Sequence, residues 1–276
     1  MNKKPNILST IKSSVEQTLT LTGGSICHTQ LLKTATGKSY VYKQLNHAPT
    51  DFFICEQTSL ATLAATGIFK TPTVYSVEQN AILLQYIDAI EPTNKHWYRL
   101  GEQLAQLHCI TNNVYGFHEN NFIGSIPQQN TWQEDWLKFC REQRLLPLIQ
   151  HSLFSYDDHQ RWEKLLACLD DFLDNSEPPA LLHGDLWNTN ILFTEDDIYL
   201  IDPAVYYGSR EIEIAYLEFV GDLHRPLLEA YQANHHLAKD YAERKKLYLL
   251  YPYLVHLHLC GEMYLPGIRQ ILHYYT

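Results

Sequence analysis

The hydrophobic pattern of the chain changes period near residue 88. Before it, apolar and β-branched residues alternate with polar ones. QTLTLTGGSICHTQLLKT (17–34) holds a Gly23-Gly24 turn between two such runs, and GKSYVYKQL (37–45) follows a turn at Thr36-Gly37. This is the pattern of antiparallel strands joined by tight turns. DFFICEQTSLATLAAT (51–66) predicts a helix instead, capped by Thr50 or Asp51 and stopped by Gly67. TPTVYSVEQNAILLQYID (71–88) predicts two further strands around a turn at Glu78-Gln79-Asn80.

After Asp88 the period becomes helical. HWYRLGEQLAQLHCI (96–110) places Leu100, Leu104, Leu107 and Ile110 on one helix face. TWQEDWLKFCREQRLLPLIQ (131–150) and DDHQRWEKLLACLDDFLD (157–174) predict two more helices, the latter ending before Pro178-Pro179. A short strand, IYLID (198–202), follows, and from Ser209 onward the pattern is mostly helical. LYLLYPYLVHLHLC (247–260) is too short for a membrane span and carries Pro252, His256 and His258, so it reads as a buried helix. The expected architecture is α+β: a small N-terminal antiparallel-sheet lobe with one helix (1–87), then a larger, mainly helical C-terminal lobe (88–276).

Composition narrows the function classes. With 45% hydrophobic and 19% charged residues the 276-residue chain is globular. Its net charge of -10, from 21 basic and 31 acidic residues, disfavours a nucleic-acid partner. No signal peptide or membrane segment is read, and six cysteines without a CxxC pair point to reduced thiols in the cytoplasm. The sequence carries no signal for an oligomeric state.

The candidate chemistry lies in LLHGDLWNTNILF (181–193). Two apolar runs bracket His183, Asp185, Trp187, Asn188, Thr189 and Asn190. Asp185 is followed after four residues by Asn190, and twelve positions later by Asp202 in YLIDPA. Phosphoryl transfer from ATP needs a carboxylate to take the proton of an attacking hydroxyl. It also needs a carbonyl oxygen and a second carboxylate to hold magnesium against the phosphates. Asp-x4-Asn followed by Asp after a short apolar strand supplies these groups in the order protein kinases use.

The first lobe should then provide a lysine for the phosphates and a glutamate to orient it. Lys43 in SYVYKQL and Glu56 on the following helix stand on the expected elements. The Gly23-Gly24 turn, with Ser25 behind it, would bring backbone N–H groups near phosphate. ILLQYID fits a linker whose backbone at Gln85 and Ile87 would read adenine. Gly37-Lys38-Ser39 resembles the end of a P-loop, but position 32 is Leu where that motif needs Gly. His256 and His258, two residues apart on a helix, point to different sides and suit one metal ion poorly.

HGDLWNTN resembles the signature of the fructosamine kinase (ketosamine-3-kinase) family. NNFIGSIPQQNTWQEDWLKFCREQRLLPLI (120–149) and IDPAVYYGSREIEIAYLEFVG (201–221) fit the same pattern, and the likeness runs from about residue 16 to near the C-terminus. That family shares the two-lobed aminoglycoside phosphotransferase and protein-kinase-like fold. The resemblance implies phosphorylation of a sugar hydroxyl of a ketosamine, with ATP and Mg2+ as cofactors and a small-molecule ketosamine or a glycated protein as substrate. It implies Asp185 as base, Asn190 and Asp202 as metal ligands, Lys43 and Glu56 as the phosphate-positioning pair, and Trp187 as a wall for the sugar. Thr189 departs from the glycine that often precedes the motif's last Asn. Two alternatives stand: an aminoglycoside- or choline-kinase-like enzyme, and a catalytically inactive kinase-fold binding module.

Overall fold

In the computed structural model, whose described residues are 7–21, 26–173, 177–221 and 223–276, the alternating segments pair into one antiparallel sheet. Its strands are β1 (Val15–Thr20), β2 (His28–Thr34), β3 (Ser39–Gln44), β4 (Val74–Glu78) and β5 (Ala81–Gln85), in the order β1-β2-β3-β5-β4. The pleat sorts the side chains of β3. Tyr40 and Tyr42 pack with Ile11, Leu32, Ala81 and Leu83 on one face, so Val41 and Lys43 take the other. Helix α1 (Phe52–Ala65) follows β3. Asp51 stands at its N-cap in a left-handed conformation (φ 62°) and gives no side-chain capping hydrogen bond. Gly67, just past the end, takes the positive φ (71°) that glycine adopts without strain.

The chain divides into two compact units, and the break differs from a single cut after residue 87. One unit is Met1–Glu91 with Asn188–Pro203; the other is Pro92–Trp187 with Ala204–Thr276. The excursion has a physical cause. Strands Ile191–Phe193 and Ile198–Leu200 form a hairpin whose two outer edges are met by Lys70 and by Ile90. Lys70 N–H donates to the Ile198 carbonyl (3.0 Å), Leu200 N–H to the Lys70 carbonyl (2.9 Å), and Ile90 N–H to the Phe193 carbonyl (2.8 Å). A hairpin with its edges satisfied in this way belongs with the first sheet.

The second unit is mainly helical. Helix α2 (Asn94–His108) buries Trp97, Leu100, Leu104 and Leu107, as the helical spacing requires, while Ile110 lies beyond its end. It packs closely on α6 (Arg225–Asn234): a Cβ on Gly101 would stand 2.2 Å from the Leu227 carbonyl oxygen. A hairpin of β6 (Asn121–Ile123) and β7 (Ile126–Gln128) comes next. The helix expected over 131–150 is short. Helix α3 spans only Trp136–Phe139 and runs into a wide π-type turn, Cys140–Leu145, that buries Cys140, Arg144 and Leu145. Helix α4 (Tyr156–Ala167) ends well before Pro178.

β8 (Ala180–Leu182) pairs antiparallel with Tyr206–Gly208. Five helices complete the unit: α5 (Arg210–Phe219), α6, α7 (Tyr241–Tyr248), α8 (Leu250–Cys260) and α9 (Leu265–Tyr275). Among the described residues no helix is long and apolar enough to cross a membrane.

One carboxylate ties two of these helices together. Asp158 closes a capping box at the start of α4, accepting from Ser155 N–H and Oγ–H (both 2.8 Å). It also accepts from Arg269 of α9, at 3.0 Å from Nε and 2.7 Å from Nη2. The Arg269 hydrogen bonds hold its carboxyl down at a pKa of about 2. An acid depressed below its unfolded value of about 4 stabilises the fold above that pH and loses the contribution as pH falls toward its folded pKa. Asp158→Asn is expected to lower the thermal midpoint by a constant amount above pH ~4. Acid melts should show the gap to the parent closing between about pH 4 and pH 2; a gap that persists at pH 2 would place the stabilisation elsewhere.

Candidate functional site

Lys43 is brought to two carboxylates within the first unit. It lies on the α1-facing side of β3, and its Nζ donates to Glu56 Oε1 of α1 at 2.8 Å. The same ammonium pairs with Asp202 Oδ1. The lysine and glutamate side chains are 9% and 12% exposed, whereas Asp202 is 40% exposed. A buried ammonium requires such partners; the more open Asp202 keeps a face for other ligands.

The 191–200 hairpin explains why Asn190 and Asp202 stand together. Ile191 is paired with Leu200, and beyond that pair Ile201 N–H donates to the Asn190 carbonyl (3.0 Å). The two flanking residues therefore emerge at the same end of the hairpin. Asp202 sits in the left-handed region, φ 54°, a conformation that costs a non-glycine residue roughly 1 kcal/mol or more and gathers at functional sites. Asn190 is buried and closes a short 3-10 turn, Asn188–Asn190. Thr189 lies inside that turn and is not among the positive-φ residues, so no glycine is required there.

At the other sequence-predicted positions, Gln85 ends β5. Its N–H donates to the Thr73 carbonyl (2.9 Å), and its side-chain carbonyl accepts from Thr73 Oγ1 (3.1 Å). Ile87, two residues on, is buried and makes no backbone hydrogen bond among the described residues. Gly23, Gly24 and Ser25 lie outside the described residues.

Asp185 and Trp187 belong to the second unit. The turn that carries Asp185 follows β8 and is held from below by Glu213 of α5, which sequence reasoning missed. Glu213 accepts from Gly184 N–H (2.7 Å) and His183 N–H (3.3 Å). Its second tie is to His108 of α2, at 3.1 Å from Nε2. With Nε2–H donating to the carboxylate, His108 Nδ1 is left to accept from Tyr231 Oη (2.8 Å). Tyr231 in turn accepts from Arg210 Nη1 (3.0 Å). Burial alone would raise the Glu213 carboxyl; the hydrogen bonds from His108 and from the Gly184 N–H outweigh it and hold the group below the ordinary glutamate value. The ionised form is the one that can accept all these donors.

Gly184 is the pivot of this turn. Its φ is 85°, and a Cβ would stand 2.1 Å from the Ala204 carbonyl oxygen. Around the turn, Asp185 lines a pocket together with Tyr206, Tyr216, Tyr251, Val255 and His256. Among the described residues no lysine or arginine lines it. His256 Nδ1 is engaged by the Pro252 carbonyl (2.7 Å) and His258 Nε2 by the Leu148 carbonyl (2.9 Å). Trp187 is half-buried. Among the described residues there is no cluster of three or more His, Cys, Asp or Glu able to hold a metal ion. The oxygen donors at Asn190 and Asp202 suit a hard cation that completes its shell with water and phosphate, as magnesium does.

Comparison with known proteins places these features. Residues 4–276 match the family model described as fructosamine kinase. A protein of Enterococcus faecium named probable ketoamine kinase is 32% identical over 96% of this chain and 97% of its own. The chloroplastic protein-ribulosamine 3-kinase of Arabidopsis thaliana is 29% identical over 91% of this chain and 79% of its own. A crystal structure from Thermobifida fusca, described as a fructosamine-3-kinase, superposes with a TM-score of 0.86 at 29% identity, covering 97% of this chain and 96% of the other. At the level of fold alone, an aminoglycoside phosphotransferase matches with a TM-score of 0.62 at 14% identity over 95% of each chain. The fold is thus the two-lobed, kinase-like α+β fold.

Replacing Gly184 with alanine is expected to destabilise the protein by more than ~2 kcal/mol, combining left-handed strain with the clash against the Ala204 carbonyl. Urea unfolding of G184A measures it. Parental stability would mean that the turn and residue 204 can move apart.

Proposed function

The chain belongs to the fructosamine kinase family, and from that membership and the geometry of the two units we propose that it phosphorylates a sugar hydroxyl of ketosamines. The acceptors are fructosamines or ribulosamines, on free amines or on lysines of glycated protein, and the outcome is deglycation. The phosphate donor is ATP. The observation that carries the reading is the bridging of one buried ammonium, Lys43, between Glu56 and Asp202.

Each residue then has a role. Lys43, oriented by Glu56, neutralises phosphate oxygens. Asn190 and Asp202 would hold magnesium, whose charge, when bound, offsets that building on the phosphates. The backbone at Gln85 and Ile87 reads the adenine edge; among the described residues the N–H and carbonyl of Ile87 make no backbone hydrogen bond, which supports this. Asp185 takes the proton of the acceptor hydroxyl as its oxygen bonds to the γ-phosphorus and ADP departs. Trp187 offers an aromatic face to the sugar. Residues 1–91 with 188–203 form the nucleotide side, and the remainder, carrying Asp185, the acceptor side. The six free thiols support the cytoplasm as the compartment.

The pocket at Asp185 supports the acceptor class. It has carboxylates at Asp185 and Glu213 and, among the described residues, no lysine or arginine, so it suits a neutral sugar on a protonated secondary amine and repels an acceptor that already carries phosphate.

Incubation with MgATP and ribuloselysine or fructoselysine should release ADP and yield the phosphorylated ketoamine, read by mass spectrometry. Turnover of an aminoglycoside or choline with no ketoamine product would overturn the assignment. Asp185→Asn should lower kcat by ~10²–10⁴ while MgATP binding persists; near-parental turnover would remove Asp185 as base. Asp202→Asn should weaken MgATP binding and raise the magnesium concentration needed for half-maximal rate.

A further inference from the structure

The β6–β7 hairpin buries two amides opposite each other. Asn121 and Gln128 are register partners, each 2% exposed. A buried amide is costly unless its donors and acceptor are satisfied, and the partners found for Gln128 fix its orientation. Its Oε1 accepts from Tyr251 Oη–H (2.7 Å). Its Nε2 donates to the Asn121 Oδ1 (2.8 Å) and the Ala204 carbonyl (3.1 Å), both acceptors.

Two hydrogen-bonded paths leave this side chain. One ends at Tyr251, whose side chain lines the same pocket as Asp185. The other runs through Ala204, whose N–H donates to the His183 carbonyl (2.9 Å). From there His183 Nδ1 accepts from the Asp185 N–H (3.3 Å). The base of the hairpin is rigid: Asn121 also donates to the Val205 carbonyl (2.9 Å) and accepts from Asn130 Nδ2 (2.9 Å). Arg144, fully buried, donates to Asn130 (2.8 Å) and lies 4.1 Å over the Tyr206 ring.

We propose that Gln128 is a positioning residue for phosphoryl transfer, spacing the acceptor-pocket wall at Tyr251 from the turn that carries Asp185. This rests on the ketosamine kinase reading. The acceptor leans on one end of a five-residue hydrogen-bonded chain and gives its proton to the other end. A misplacement of about 1 Å between them costs on the order of 10²-fold in rate. Gln128 and its partners all lie in the second unit, while Lys43, Glu56, Asn190 and Asp202 lie in the first, so the effect falls on acceptor turnover and not on nucleotide affinity.

Tyr251→Phe, Gln128→Met and the double variant test this, with kcat and KM for both substrates and nucleotide affinity measured on folded protein. Each single variant should lower kcat for the ketoamine by ~10–100-fold, leave KM and Kd for MgATP within about twofold, and combine without multiplying, because both cut the same chain. Parental kcat in Tyr251→Phe, an equal loss of nucleotide affinity, or multiplicative effects would each overturn the proposal. If Gln128→Met does not fold, Tyr251→Phe, which removes one oxygen, decides it alone. A parent protein inert toward every ketoamine refutes the substrate reading instead; the variants are then compared on the alcohol acceptor that the parent does phosphorylate.

Discussion

At the turn His183-Gly184-Asp185 the backbone leaves the β8 ladder with two N–H groups pointing inward, and Glu213 accepts both. Unpaired buried N–H groups cost about as much as a lost hydrogen bond, so the turn would reorganise without that carboxylate. The carboxylate is in turn hydrogen-bonded to His108, and Tyr231 donates to the other nitrogen of that ring. One buried charge thus ties α2, α5 and α6 to the backbone that carries the candidate base. Removing any single partner would leave the others unsatisfied in a medium of low dielectric.

Steric exclusion completes what hydrogen bonding begins. Gly184 has no room for a side chain because the Ala204 carbonyl stands against it. Ala204 itself is held at both its N–H, by His183, and its carbonyl, by Gln128. On the other unit the constraint is electrostatic and conformational. Asp202 stands in a left-handed geometry beside a buried lysine that also pairs with Glu56. Strained or excluded positions of this kind persist only where neighbours over-determine them.

The strands of the first unit were legible from the alternation of their residues: on β3, Tyr40 and Tyr42 pack on one face and Val41 and Lys43 take the other. Lys43 and Glu56 could be named from strand-then-helix order, and Asp185, Asn190 and Asp202 from spacing. The helix over 131–150 was misread because its apolar residues recur at helical intervals until Cys140. A gap of five residues to Leu145 then keeps the buried face only if the turn widens, as the π-type turn does. The division of the chain could not be read locally, since it depends on Lys70 pairing with a hairpin more than a hundred residues away. Glu213 was hidden for the opposite reason. REIEIAYL looks like a helix with an acidic face, and nothing in the sequence says that Glu211 and Glu213 are both buried; one neutralises Arg244 and the other anchors a turn.

The chain passes from one unit to the other at Trp187-Asn188 and returns at Pro203-Ala204. Proline at the return fixes its own φ and restricts the residue before it, and that residue is Asp202. Protein kinases place Phe-Gly after the equivalent aspartate, and the phenylalanine's packing sets the active or inactive state. Here the following residues are Pro203, with one permitted φ, and Ala204, bonded at both its polar groups. A segment so constrained stores little conformational choice.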